Sequence, residues 1–172
     1  MTVEDIQALF TTPDGYRFAR WGRAVVPVVF GVDDATLDVI RAAIRAATAL
    51  AGVEMGAADA ELGANFMLFF FRDWDELAEV PDLGEMIPDL PALLARLKAA
   101  DAQTYRTFRF DRAGAIKACF SFVRMGGPLA DLPADALATG EAVSALLTWA
   151  QTPPLARASD GTIGPRPEIA SL

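Results

Sequence analysis

The chain of 172 residues contains no histidine, a single cysteine at position 119, and only two lysines, Lys98 and Lys117, among its 15 cations. Without histidine there is no imidazole to serve as the commonest neutral-pH general base or the commonest zinc ligand. A lone cysteine closes no internal disulfide and builds no paired-cysteine metal or redox motif. No uninterrupted apolar run approaches the ~18 residues that a membrane-spanning helix needs. The longest block, Phe66 to Phe71, has the length of a strand. The first twenty residues carry Glu4, Asp5 and Asp14 and lack the apolar centre of a signal peptide. Two compartments fit. One is the cytoplasm; the other is the cell envelope or periplasm, for a mature chain whose signal lies outside the sequence given.

What is present is apolar and acidic. Hydrophobic residues make up 53% of the chain, so one well-filled core is expected rather than disorder. The formal charge of −8 repels phosphate backbones and anionic headgroups, which argues against nucleic-acid binding across the surface. The remaining 13 cations are arginines. A GC-rich genome explains that bias, and so does an arginine-lined site for anions, because the guanidinium fork matches carboxylate and phosphate.

The pattern reads as one domain over 1–172, with an N-terminal extension at 1–17, a core at 18–152 and a tail at 153–172. Residues 3–11 form a short helix capped by Thr2. Residues 25–32 form a β-branched strand, placed at an edge or bulge by Pro27. A helix over 35–51 shows Leu37, Ile40, Ile44, Ala47 and Ala51 on one face and ends at Gly52. A short strand at 53–55 and a loop over 56–63 follow. Residues 65–71 are apolar on both faces and therefore central in a sheet. Helical turns begin at Asp73, and a helix runs over 91–100. Residues 104–111 and 115–124 alternate as a hairpin, with Ile116, Phe120 and Phe122 inward. A last helix over 133–150 directs Leu137, Val143, Leu146 and Leu147 to the core, and a further helix could start at 167–172. This order predicts an α+β fold: a mixed sheet with two main helices on one face. A ferredoxin-like winding with dimerisation is the alternative.

Four features together resemble a known family. Arg20-Trp21 precedes the first strand, and a helix ending TALAGVEM follows it. GANFMLFFF then gives a central strand, and a hairpin leads into a helix reading from Gly140 through Glu141 and Ser144 to Leu147. Over about residues 18–165 this resembles the DUF2927 family of proteobacterial envelope proteins, in the zincin-like metallopeptidase clan. The resemblance implies a zincin-like fold. In zincins the second main helix carries H-E-x-x-H: two imidazoles on one helical face bind zinc, and the Glu activates water. Matched to that motif, the histidine positions are Gly140 and Ser144, and only Glu141 remains. Neither Gly nor Ser replaces an imidazole, so no metal and no cofactor are expected. The resemblance implies fold and not peptidase activity.

The leading expectation is therefore a non-catalytic binding or interaction domain, with a protein or a small anionic ligand as partner. A hydrolase-type enzyme is the rival reading, with Glu141 as its catalytic carboxylate, or the cluster Asp73, Asp75 and Glu76, assisted by arginine. Arg20, Trp21, Arg23, Arg106 and Arg109 are the candidate ligand-binding residues, for which Trp21 would be a stacking plate. The plainer reading of the acidic cluster is a helix N-terminus, which favours carboxylates. Ser121 and Ser144 have no histidine base, and Cys119, in mid-strand, reads as core rather than nucleophile.

Overall fold

A computed structural model describes residues 2–57 and 63–147 in full, together with the backbone of 155–157 and 163–165. It begins with helix α1 (Val3–Leu9), closed by a capping box between Thr2 and Asp5. A small hairpin follows, β1 (Thr11–Thr12) with β2 (Gly15–Tyr16). The extension thus has a core of its own, in which Phe10 is buried against the edges of Tyr16 and Phe18.

The main sheet contains β3 (Pro27–Phe30), β4 (Phe66–Phe71), β5 (Thr104–Phe110) and β6 (Ile116–Arg124), in the order β3-β4-β6-β5. The pairs β3/β4 and β4/β6 are parallel, and β5/β6 is the antiparallel hairpin. The α+β class and the mixed sheet expected from the sequence are what the chain forms. Pro27 sits in an end strand of this sheet, where a missing amide costs no central ladder bond. The strand expected at 53–55 is reduced to a single bridge between Val25 and Met55.

Helix α2 (Asp34–Leu50) starts where the Asp33 carboxylate accepts a 2.7 Å hydrogen bond from the Thr36 amide. It is followed by Gly52 in the left-handed region, at φ +65°. Its buried residues are Ile40, Ile44 and Thr48. The expectation for Ala51 fails: it is the C-cap, exposed, because the helix has ended there. Helix α5 (Ala134–Leu146) lies beside α2. Ile40, Ile44, Ala138, Ala142 and Ala145 pack as one layer on Phe66, Leu68, Phe70, Cys119 and Val123. The opposite sheet face is closed by a 3-10 turn at Trp74–Glu79, by α3 (Leu83–Met86) and by α4 (Leu90–Ala99). There Phe69, Phe71, Phe120 and Phe122 meet Trp74, Leu77, Leu83, Leu94 and Leu97. The β7–β8 pair (Leu155–Arg157, Ile163–Pro165) is antiparallel. The helix considered at 167–172 lies outside the described residues.

Two sequence expectations are corrected by this burial. Strand β6 is buried on both faces and not on one, because Cys119, Ser121 and Val123 meet one helical layer while Phe120 and Phe122 meet the other. In α5 the row facing the sheet is Ala138, Glu141, Ala142 and Ala145, and Leu137, Val143, Leu146 and Leu147 are only half-buried. Small residues there allow the helix to approach the strands closely. Residues 148–150, expected to continue this helix, lie outside the described residues.

One buried polar side chain organises the start of the sheet. Asn65 is 1% exposed, yet its amide is satisfied on both sides. Its Oδ1 accepts from the Val26 amide at 2.6 Å, and its Nδ2 donates to the Ala24 carbonyl at 2.9 Å. The Ala-Asn introduction to the central strand therefore clamps the segment before β3 onto β4.

Candidate functional site

The register of the hairpin puts Arg106 of β5 directly opposite Ser121 of β6. Ser121 shares its face with Cys119 and Val123, so both members of the pair look toward the α5 layer. Glu141 comes down on them from the buried row of that helix. One carboxylate oxygen, Oε2, accepts hydrogen bonds from both Arg106 Nη2 and Ser121 Oγ. The two charged side chains are 18% and 10% exposed, and Ser121 is fully buried. The cluster is therefore interior, and a charge-assisted pair there counts for more than one on the surface. Arg106 Nε is buried without a partner among the described residues.

Cys119 lies on the same face, two residues from Ser121. Burial pushes its thiol far above the ordinary range. The Arg106 charge works against that shift, and the Glu141 charge adds to it. A thiol held neutral is a poor nucleophile and a poor metal ligand. Ser121 donates its proton toward a carboxylate, which superficially resembles an activated serine. At 0% exposure no substrate carbonyl can come within the ~3–3.5 Å that attack requires. Glu141 itself is engaged by two donors and neighboured by a cation. Gly140 and Ser144, at the matched ligand positions, are half-buried. No group of three or more acidic or thiol side chains that could hold a metal ion occurs among the described residues.

The arginines of the sequence reading occupy separate surroundings. Arg106 and Arg109 are three residues apart on one strand and so face opposite sides of the sheet. Arg109 Nη2 donates to the Met86 carbonyl at 2.6 Å, on the α3 side. Arg23 Nη2 donates to the Gly63 carbonyl at 3.0 Å. Arg20 is exposed, and its carbonyl accepts from the Ile116 amide. Trp21 pairs in parallel with Ile116, and its ring meets Phe66 edge-on at 6.0 Å. Trp21 is partly buried and packs at the border of the core. The acidic cluster also resolves into local roles. Asp73 caps the Trp74–Glu79 turn in a capping box with Glu76, and Asp75 pairs with Lys98 at 2.7 Å.

A cleft the sequence reading did not anticipate opens at the carboxyl ends of β3, β4 and β6, between the first turns of α2 and α5. Its volume is about 280 Å³. Ile40 and Phe70 line it with Val32, Met125, Leu132 and Leu137, and Asp33 is its one ionisable lining residue. Gly31 makes this end possible: at φ +84°, a Cβ there would stand 1.9 Å from the Phe70 carbonyl oxygen. Crevices at the carboxyl ends of parallel strands are the usual ligand seats of open sheets. The sequence signal was the pair of turn-and-cap segments after the strands, Gly31 to Asp33 and Gly126 to Ala134. Their convergence depends on pairings between distant strands.

Among the described residues no helix is long and apolar enough to cross a membrane. No family model, no curated protein and no solved structure matches this chain.

Proposed function

We propose that this chain is a non-catalytic binding domain on a zincin-like scaffold, of the kind the DUF2927 resemblance implies, with its metal chemistry replaced by an internal ion pair. One observation carries the reading. The only carboxylate left at the motif position, Glu141, is occupied by Arg106 and Ser121. A general base aims a lone pair at a water, whereas Oε2 of this carboxylate already accepts from a guanidinium and a hydroxyl in a side chain that is 10% exposed. A divalent cation placed here would meet a guanidinium instead of imidazoles, and like charges at such range are strongly unfavourable in a buried site.

The order of elements is consistent with that scaffold. A helix joins two parallel strands, an antiparallel hairpin strand forms the end of the sheet, and the helix bearing Glu141 follows directly. The ferredoxin-like alternative would put the first strand of the sheet in its interior, whereas β3 ends the four-stranded order.

The test is zinc titration of the purified protein by calorimetry, alongside a peptidase assay on an unfolded protein substrate. The expected result is no stoichiometric zinc binding at micromolar concentrations and no cleavage above background. Stoichiometric zinc together with cleavage that Glu141→Gln abolishes would overturn the reading.

A further inference from the structure

We propose that the cleft between α2 and α5 binds a small apolar molecule bearing an ammonium group, an alkyl or aryl amine. This goes beyond the non-catalytic reading and does not depend on it. The interior of the cleft is aliphatic, aromatic and thioether surface from Val32, Ile40, Phe70, Met125 and Leu137, which selects an apolar body. Its volume of about 280 Å³ lies just under the range typical of drug-sized ligands, so the occupant is small.

Charge selects the head group. The lining segments 31–40 and 125–137 carry Asp33, Asp34, Asp38, Asp131 and Asp135; the cations that border the lining are Arg41, Arg72 and Arg124, of which Arg124 is paired with Asp101. The first turns of α2 and α5 oppose this with about half a positive charge each. Five carboxylates outnumber the other two arginines and the helix ends together, and the chain as a whole adds to the negative field. Asp33 is the acid in the lining itself. It is exposed at the rim, and its carboxyl is held below the ordinary carboxylate range by hydrogen bonds from the Thr36 amide and hydroxyl. It therefore stays negative at neutral pH. An ammonium can rest beside it while remaining largely hydrated, and only the apolar body enters the cleft. A carboxylate-bearing analogue of the same shape would be repelled.

Three probes of one shape decide the matter: phenethylamine, phenethyl alcohol and 3-phenylpropionate, each titrated into the full chain and followed by amide chemical-shift changes. The expected order is amine tighter than alcohol by about 3- to 10-fold, with the carboxylate weakest, and with shifts at Gly31, Thr36 and Met125. The margin of amine over alcohol should shrink as salt rises. Asp33→Asn keeps the helix cap, since Asn caps as well as Asp, and should bring the amine down to the alcohol. Leu137→Trp, which fills the cleft, should weaken all three, with a melting curve as the check on folding. Equal affinities for amine and carboxylate, tighter binding of the carboxylate, or shifts confined to residues outside the cleft would overturn the proposal, as would no binding at millimolar concentrations.

Discussion

Arg106 of the hairpin and Glu141 of the last helix form an ion pair across the boundary between sheet and helix, and Ser121 donates to the same carboxylate oxygen. The pair ties the end strand of the sheet to a helix that otherwise rests on the strands through alanines. Removing one partner leaves the other charge buried and uncompensated. We therefore expect Arg106→Met or Glu141→Leu alone to destabilise the fold by about 3 kcal/mol. Ser121→Ala should cost about 1 kcal/mol, the worth of an ordinary hydrogen bond. The triple variant Arg106→Met, Ser121→Ala, Glu141→Leu should recover most of the loss, because an apolar substitute of similar volume removes the desolvation cost together with the attraction. Urea melts of the four proteins check this; a triple variant no more stable than the worse single one would count against it.

The clamp at Asn65 makes a second expectation. Leucine is close to asparagine in size but leaves the Val26 amide and the Ala24 carbonyl unpaired in the interior. Asn65→Leu should cost about 2–4 kcal/mol, from two buried groups at about 1–3 kcal/mol each, partly offset by apolar burial. Amide exchange should show the loss first at Val26.

Gly31 and Gly15 provide an internal control. Both have positive φ, but only at Gly31 would an added Cβ meet backbone, whereas Gly15 faces open space. Gly15→Ala should cost about 1–2 kcal/mol for the left-handed conformation alone. Gly31→Ala should cost clearly more, since the clash with the Phe70 carbonyl can be relieved only by parting β3 from β4. Thermal melts of the two variants would show the difference.

The thiol of Cys119, raised by burial, should be inert in the native protein. Alkylation by iodoacetamide at about pH 8 should be slower than in the urea-unfolded chain by roughly 100-fold or more, limited by the opening of the sheet. Mass spectrometry over time reads the rate directly. Rapid native labelling would mean that the α5 layer opens easily.

Asp33 gives a pH dependence with a definite sign. Its native carboxyl lies below its ordinary value of 3.8 because it accepts hydrogen bonds from the Thr36 amide and, next, the Thr36 hydroxyl. A depressed pKa stabilises the fold above the ordinary value, and that contribution is lost as pH falls through the native one. Comparing melting temperatures of the wild type and Asp33→Asn over about pH 2 to 6 isolates it. The wild type should lose ground relative to the variant only toward the acid end.

Much of this architecture can be read in the sequence, and the parts that cannot have a common cause. The block Phe66 to Phe71 announces a strand covered on both faces, and Asp33 and Gly52 bracket α2 closely. The hairpin at Arg112–Gly114 is local and was legible. The facing of α5 was misjudged because leucines outrank alanines on any hydrophobicity count. Yet 138, 141, 142 and 145 stand at steps of three, one and three, a helical stripe with a glutamate in its middle. A charge within an otherwise small apolar row is the legible trace of a buried partner, although the partner's identity depends on a strand far away in the chain. Where the arginines come to lie has the same origin. Side-chain alternation already separates Arg106 from Arg109, but the layers above and below the sheet are decided by pairings that no local pattern encodes.

A row of aromatic rings runs across the sheet on the α4 side: Phe30 stacks on Phe69 at 4.7 Å, Phe69 on Phe122 at 5.0 Å, and Tyr105 follows at 6.3 Å. Its members come from all four strands, and β6 reaches β4 only after α4 and β5 have been made. During synthesis on the ribosome, β3, α2 and β4 therefore emerge with Phe69 and Phe71 uncovered and with one side of β4 still seeking a neighbour. That interval is when the nascent chain is most prone to stick to another copy of itself. A ribosome-bound chain just long enough for β4 to have left the exit tunnel, with α4 and β6 still to come, should recruit holdase chaperones that the finished protein no longer needs.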